Sequence, residues 1–155
     1  MVATRLGPVG WVACASPLYL EARGEPRASA DLAGHDCIMS EGLYSNSLWL
    51  FGQGGQAAAV AIRPRLTVNS ADAAIAAAIR SAGITRVLSC QVADAVSAWS
   101  LRLILRDIEP EPLPVHPVHA SQSLAPLKLR AFLDFAGPRL RASLVAVSTY
   151  PTPLD

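Results

Sequence analysis

Between the strand-forming run Leu66-Thr67-Val68 and Gly83 lies the segment Ala73-Ala74-Ile75-Ala76-Ala77-Ala78-Ile79, helix-forming and apolar on every side. A helix on a protein surface keeps a polar face toward water, so a helix without one belongs inside a domain, packed by other layers. Ser70 offers a capping oxygen to the first free amides, and Asp72 lies near the positive end of the helix dipole. The spacing predicts a helix over 70–81, with Gly83 as its left-handed stop. Whatever this chain builds, it builds around that helix.

The flanking segments alternate. Val9 to Ala15 reads as a buried strand stopped by Ser16-Pro17, because proline lacks a backbone donor and pushes its neighbour out of helical geometry. Leu18 to Ala22 suits one helical turn, Arg23 to Ala30 a loop, and Asp31 to Gly34 a capped turn. Cys37 to Ser40 is strand-like, and Leu48 to Phe51 with Ala57 to Ile62 predict a hairpin around Gly52 to Gly55. After the central helix come a strand at Thr85 to Leu88, a helix at Val92 to Ser97 and a strand at Leu101 to Leu105. Strands and helices that take turns in this way predict an α/β fold with parallel strands.

Asp107 to Pro114 carries three acidic residues and three prolines, a composition unfit for a central strand and suited to a crossover between two lobes. Val115 to Ala120 predicts a last strand. Ala125 to Leu140 predicts an amphipathic helix with Leu127, Ala131, Phe132, Phe135 and Leu140 facing inward, and a frayed tail is expected from Ser143.

Composition removes several function classes. With 52% hydrophobic and 16% charged residues the chain is globular, yet no apolar run reaches the roughly 18 residues of a membrane span. The start lacks the basic head and apolar core of a signal peptide, so a cytoplasmic location is expected and no membrane partner. Cys14, Cys37 and Cys90 form no CxxC pair and read as reduced core thiols. Thirteen basic residues are scattered, and the net charge is +1, so this chain alone is expected not to grip DNA.

Several segments, taken in order, resemble one family: Cys14-Ala15-Ser16-Pro17-Leu18-Tyr19-Leu20, Asp31-Leu32-Ala33-Gly34-His35-Asp36-Cys37-Ile38, Trp49-Leu50-Phe51, and Leu66-Thr67-Val68-Asn69-Ser70 before the alanine-rich helix. Gly83-Ile84-Thr85-Arg86-Val87-Leu88-Ser89 and Leu129-Arg130-Ala131-Phe132-Leu133-Asp134-Phe135 follow at matching spacing. The chain resembles LysR-type transcriptional regulators over about residues 5 to 141, specifically their effector-binding domain. That resemblance implies a periplasmic-binding-protein-like (type 2) fold of two lobes with a small-molecule cleft between them. It implies crossovers near Ser16-Pro17 and Pro110 to Pro114. Residues 1–16 are expected to form part of lobe one, 17–110 lobe two, 111–142 the second crossover and the rest of lobe one, and 143–155 a flexible tail. Complete members carry a winged helix-turn-helix, a linker helix and the first half of lobe one before the point corresponding to Met1, so a truncated lobe one is expected.

The expected ligand site follows from the same positions. Asn69 and Ser70 close a strand and open a helix, so their side chains and the amides of Ala71 and Asp72 can receive a carboxylate, although Ser70 also suffices as a plain cap. Ser16 and Pro17 at the first crossover border the cleft in the family, although turning the chain is their surest role. Ser40 to Ser45 can offer hydroxyls to it or stand as a solvated loop. His35 and Cys37 lack an orienting third group for nucleophilic chemistry and read as packing. His116 and His119 point to opposite faces if on a strand, and zinc would need a third ligand. No catalytic constellation, cofactor or metal is expected, and Trp49 reads as core while Trp99 is expected to be exposed.

The function expected is that of an effector-sensing domain controlling transcription, with a small anionic metabolite, such as a carboxylate, as ligand. A dimer or larger assembly of the chain is expected, and DNA as partner only through a helix-turn-helix that is missing here. The alternative is a free-standing solute-binding protein or an enzyme on the same scaffold, since fold alone does not fix function.

Overall fold

The computed structural model describes residues 2–3, 5–41, 48–52, 56–119 and 126–148. In chain order the strands are β1 (Val2–Ala3), β2 (Gly7–Val9), β3 (Trp11–Ala15), β4 (Cys37–Ser40), β5 (Leu48–Phe51), β6 (Ala58–Ala61), β7 (Pro64–Val68), β8 (Ile84–Leu88), β9 (Arg102–Ile104), β10 (Leu113–Val115) and β11 (Val118–His119). The helices are α1 (Pro17–Arg23), α2 (Ala71–Ile79), α3 (Ser89–Ser97) and α4 (Leu127–Ser148), with 3-10 turns at Ser29–Gly34 and Arg106–Ile108. The chain divides into two units, one made of Gly10–Glu111 and the other of Met1–Val9 with Pro112–Asp155.

In the unit 10–111, five strands form one sheet in the order β7-β4-β8-β3-β9. Strand β4 runs parallel to β7 and to β8, whereas β3 runs antiparallel to both β8 and β9. Parallel strands need a crossover, and α2 supplies the one from β7 to β8, which passes over β4. Its central strands β4, β8 and β3 are covered on both faces, as their nearly continuous apolar runs require. One face holds Ala13, Ala15, Cys37, Ile84 and Ile104 against Tyr19 and Leu20 of α1, Leu32, and Trp49 and Phe51 of the β5–β6 hairpin. The other holds Cys14, Ile38 and Val87 against Ala74, Ile75 and Ala78 of α2 and Val92 of α3. The α/β class read from the alternation of elements is the class found.

Three local expectations need correction. Helix α2 is buried along one stripe, not all round: Ile75 is 8% exposed but Ile79 is 38% exposed. Alanine is small enough to lie against either water or a sheet, so an alanine-rich helix hides which side is which. Its left-handed stop is Ser81, at φ 63°, and not Gly83. Gly83 serves a different need, because a Cβ there would collide with the Asp36 carbonyl while Ile84 N–H donates to that same oxygen at 2.9 Å. Strand Trp11–Ala15, expected with the first lobe, lies inside the five-stranded sheet, and the chain divides at Val9/Gly10 instead of at Ser16/Pro17.

In the other unit, β2 pairs antiparallel with β10, Pro8 opposite Pro114, and β1 with β11. Both prolines sit in a two-stranded ribbon, where a missing donor costs no central ladder bond. The single strand expected over 115–120 is instead two, β10 and β11, separated at Pro117. Helix α4 passes through Pro138 and continues to Ser148, so residues 143–148, expected to fray, are helical; 149–155 lie outside the described residues. It packs on β2 through Leu144, whose Cβ stands 3.2 Å from where a Cβ on Gly7 would be. The face expected to turn inward turns outward: Leu127 is 83%, Phe132 62%, Phe135 60% and Leu140 46% exposed, and Ala131 is exposed as well. Arg139 covers part of it, its guanidinium 3.7 Å from the Phe135 ring centre.

Candidate functional site

Strands β7 and β4 are parallel neighbours that end together, Ser40 level with Val68, and Glu41 N–H donates to the Val68 carbonyl at 2.6 Å. In open α/β sheets the crevice outside such carboxyl ends is where ligands collect, because helix N-termini follow the strands there. Asn69 and Ser70 leave β7 at this edge, both exposed, and Ser40 is half-buried beside them. Ser70 holds an extended backbone, φ −147°, and its Oγ accepts from Ala73 N–H at 3.2 Å. Used as an acceptor, that hydroxyl still has its proton to donate. The amides of Ala71 and Asp72 open α2 ahead of any intrahelical acceptor, aimed along the positive end of the dipole. The Asp72 carboxylate in the same turn opposes an anion, so the site is suited to a group that brings hydrogen-bond acceptors as well as charge.

Ser16 and Pro17 do not join this cluster. Strand β3 runs antiparallel to β8, with Trp11 opposite Leu88 and Cys14 opposite Thr85, so Ser16 emerges at the other end of the sheet. There it is 3% exposed and caps α1, its Oγ accepting from Tyr19 N–H at 3.1 Å and lying 2.8 Å from Ser81 Oγ; Pro17 opens the helix, exposed to solvent. The sequence pattern of strand, turn and helix is the same at both ends of a sheet, and only strand direction tells them apart. The structure therefore brings together Ser40, Asn69, Ser70 and Ala71 of the expected residues. Ser45, the far end of the expected hydroxyl loop, lies outside the described residues.

The remaining candidates lie away from this edge. His35 Nδ1 lies 3.1 Å from Tyr19 Oη, which accepts from Asp36 N–H at 3.0 Å. Burial pushes the Cys37 thiol up to about 11, with the Asp36 charge adding to it, and the Cys14 thiol up to about 12, with Glu109 adding. Neither is a nucleophile at neutral pH. Cys90 is exposed, contrary to its expected place in the core. Trp49 is buried at 7% and Trp99 stands 66% exposed at φ 58°. Among the described residues no three His, Cys, Asp or Glu side chains gather as metal ligands would, and no helix is long and apolar enough to cross a membrane.

Sequence reading missed one pair. Arg86, 8% exposed on central strand β8, donates to Glu109, also 8% exposed, with Nη2 2.7 Å and Nε 3.1 Å from Oε2. The signal was present: an arginine inside Ile84-Thr85-Arg86-Val87-Leu88 must find an anion if the strand is buried, and an acidic cluster follows at 107–111.

Residues 1–141 match the family model of the LysR substrate binding domain. The HTH-type transcriptional regulator YcaN of Escherichia coli K12 is 26% identical over 136 residues, 87% of this chain and 44% of its own length, so the chain spans less than half of that relative. The regulatory domain of CrgA, a LysR-type transcriptional regulator from Neisseria meningitidis, superposes with a TM-score of 0.76 at 26% identity, covering 90% of this chain and 69% of that one. The regulatory domain of AphB from Vibrio vulnificus gives 0.75 at 24% identity over 86% of this chain and 66% of that one, a likeness of fold.

Proposed function

The chain belongs to the LysR substrate binding domain family, and from that premise we propose that it senses a small carboxylate-bearing metabolite at the start of α2. Asn69 and Ser70 would donate to the carboxylate, the Ala71 amide would point at it, and Ser40 would supply a further hydroxyl from the neighbouring strand end. The observation that carries this reading is the juxtaposition of two parallel strand ends, Ser40 level with Val68, with an exposed capped helix start immediately behind. The two units are the two lobes in this reading, and ligand occupancy biases their arrangement by as much as its affinity differs between states. The relatives are transcriptional regulators that exceed this chain in length. Control of transcription would accordingly run through a helix-turn-helix elsewhere in a longer protein working as a cytoplasmic dimer, with no catalytic step in this domain.

Titration calorimetry against a panel of small mono- and dicarboxylates tests the site. Ser70→Ala should weaken binding of the best of them roughly tenfold, the effect of losing one hydrogen bond to a charge. Ser16→Ala, at the other end of the sheet, should leave that affinity unchanged. Equal affinity in wild type and Ser70→Ala, or no carboxylate bound at all, would overturn the assignment.

A further inference from the structure

Arg86 and Glu109 are buried where no ligand reading uses them. Among the described residues the other ion pairs, Arg23 and Arg65 with Asp36 and Arg102 with Glu25, are all partly exposed at the surface. A buried pair is seldom the most stabilising choice, since well-packed apolar residues of similar volume do as well or better. What it adds is direction: each bond fixes a particular neighbour at a particular angle.

The neighbours here are both connections between the units. Glu109 stands two residues before the division at Glu111/Pro112, delivered there by a left-handed Leu105, φ 54°, and the 3-10 turn Arg106–Ile108. Ile108 carbonyl accepts from Gly52 N–H at 2.5 Å. At the other connection, which divides at Val9/Gly10, the Arg86 guanidinium lies 5.3 Å from the Trp11 ring centre. Gly10 itself is held by Ser89, whose N–H donates to the Gly10 carbonyl at 2.8 Å and whose Oγ accepts from Gly10 N–H at 3.3 Å. Arg86 further donates Nη2 to the Leu50 carbonyl at 2.8 Å and lies 4.9 Å from the Phe51 ring centre, which ties the β5–β6 hairpin to the same point.

We propose that Arg86 and Glu109 form a latch that fixes both points at which the chain leaves the unit 10–111. This goes beyond the ligand reading and does not rest on it.

Hydrogen–deuterium exchange by mass spectrometry on the whole chain tests the latch, with circular dichroism melts alongside. In Glu109→Gln the amides of 106–111 and of 10–13 should exchange on the order of tenfold faster, while α2 and β4 keep wild-type protection. The double variant Arg86→Met/Glu109→Leu removes both charges and keeps the core apolar, so it should melt at or above the wild-type temperature yet show the same local acceleration. It decides the matter if the single variant fails to fold. Acceleration spread evenly over the unit, as a purely structural pair would give, or unchanged exchange at both connections, would overturn the latch.

Discussion

Helices α2 and α4 carry similar sequence credentials and meet opposite fates. Both display apolar residues at helical spacing, but α2 lays Ala74, Ile75 and Ala78 on a sheet, whereas α4 turns Leu127, Phe132 and Phe135 to solvent and rests on β2 through Leu144. The surrounding units differ in the same way. Unit 10–111 has two apolar layers on either side of one sheet, while the described part of the other unit offers two-stranded ribbons and a single helix. An apolar stripe marks which face a helix would bury; it does not guarantee that the chain provides the opposing surface.

The sharpest way to break this comparison is to charge both helices. Ile75→Asp should cost about 3–5 kcal/mol or unfold the unit, because a carboxylate would sit unpaired between α2 and the sheet. Ile79→Asp, at a partly exposed position of the same helix, should cost roughly 1 kcal/mol or less by the loss of propensity and partial burial. Urea melts giving equal losses for the two would show that α2 is enclosed all round after all.

The next effect separates charge from packing inside the larger unit. Burial holds the Glu109 carboxyl above its ordinary value of 4.5, against the hydrogen bonds and charge of Arg86 and the Ala13 amide. The folded state thus keeps that proton to higher pH than the unfolded state does. Stabilisation from this group is complete below the ordinary glutamate value and is lost as pH rises through the folded one. Relative to Glu109→Gln, wild-type stability from urea melts should therefore decline as pH is raised above about 4.5. A difference that instead grew with pH would mean that Arg86 outweighs burial, and a pH-independent one that the two cancel.

The smallest expected effect lies on α4. Phe135→Asp should change the melting free energy by about 0.5 kcal/mol or less, since surface substitutions away from packed contacts do little. A loss comparable to that of Ile75→Asp would show the face to be covered in solution, and light scattering on the same variant would report whether a second copy covers it.

Much of the larger unit was legible because its signals are local. Ser70 caps α2, β4 and β5 fall at Cys37–Ser40 and Leu48–Phe51, and β5 pairs antiparallel with β6. Each depends on residues within a few positions of one another, where propensity, capping and period act directly. The candidate site was half legible: the strand-to-helix transition at Asn69-Ser70 shows in the sequence, but nothing local could say that Ser16-Pro17, an equally good transition, opens at the other end of the sheet.

By itself, then, the sequence determined the α/β class, the order of strands and helices over residues 11–104 and the start of α2, all of which follow from short-range chemistry. Tertiary structure alone decided strand direction in the sheet, which puts Ser40 beside Val68 and sends Ser16 away from them. It alone decided that α4 faces outward and that Arg86 finds Glu109 across 23 residues of chain. These last depend on which distant surfaces meet, and a burial pattern records a residue's appetite for contact without recording its partner.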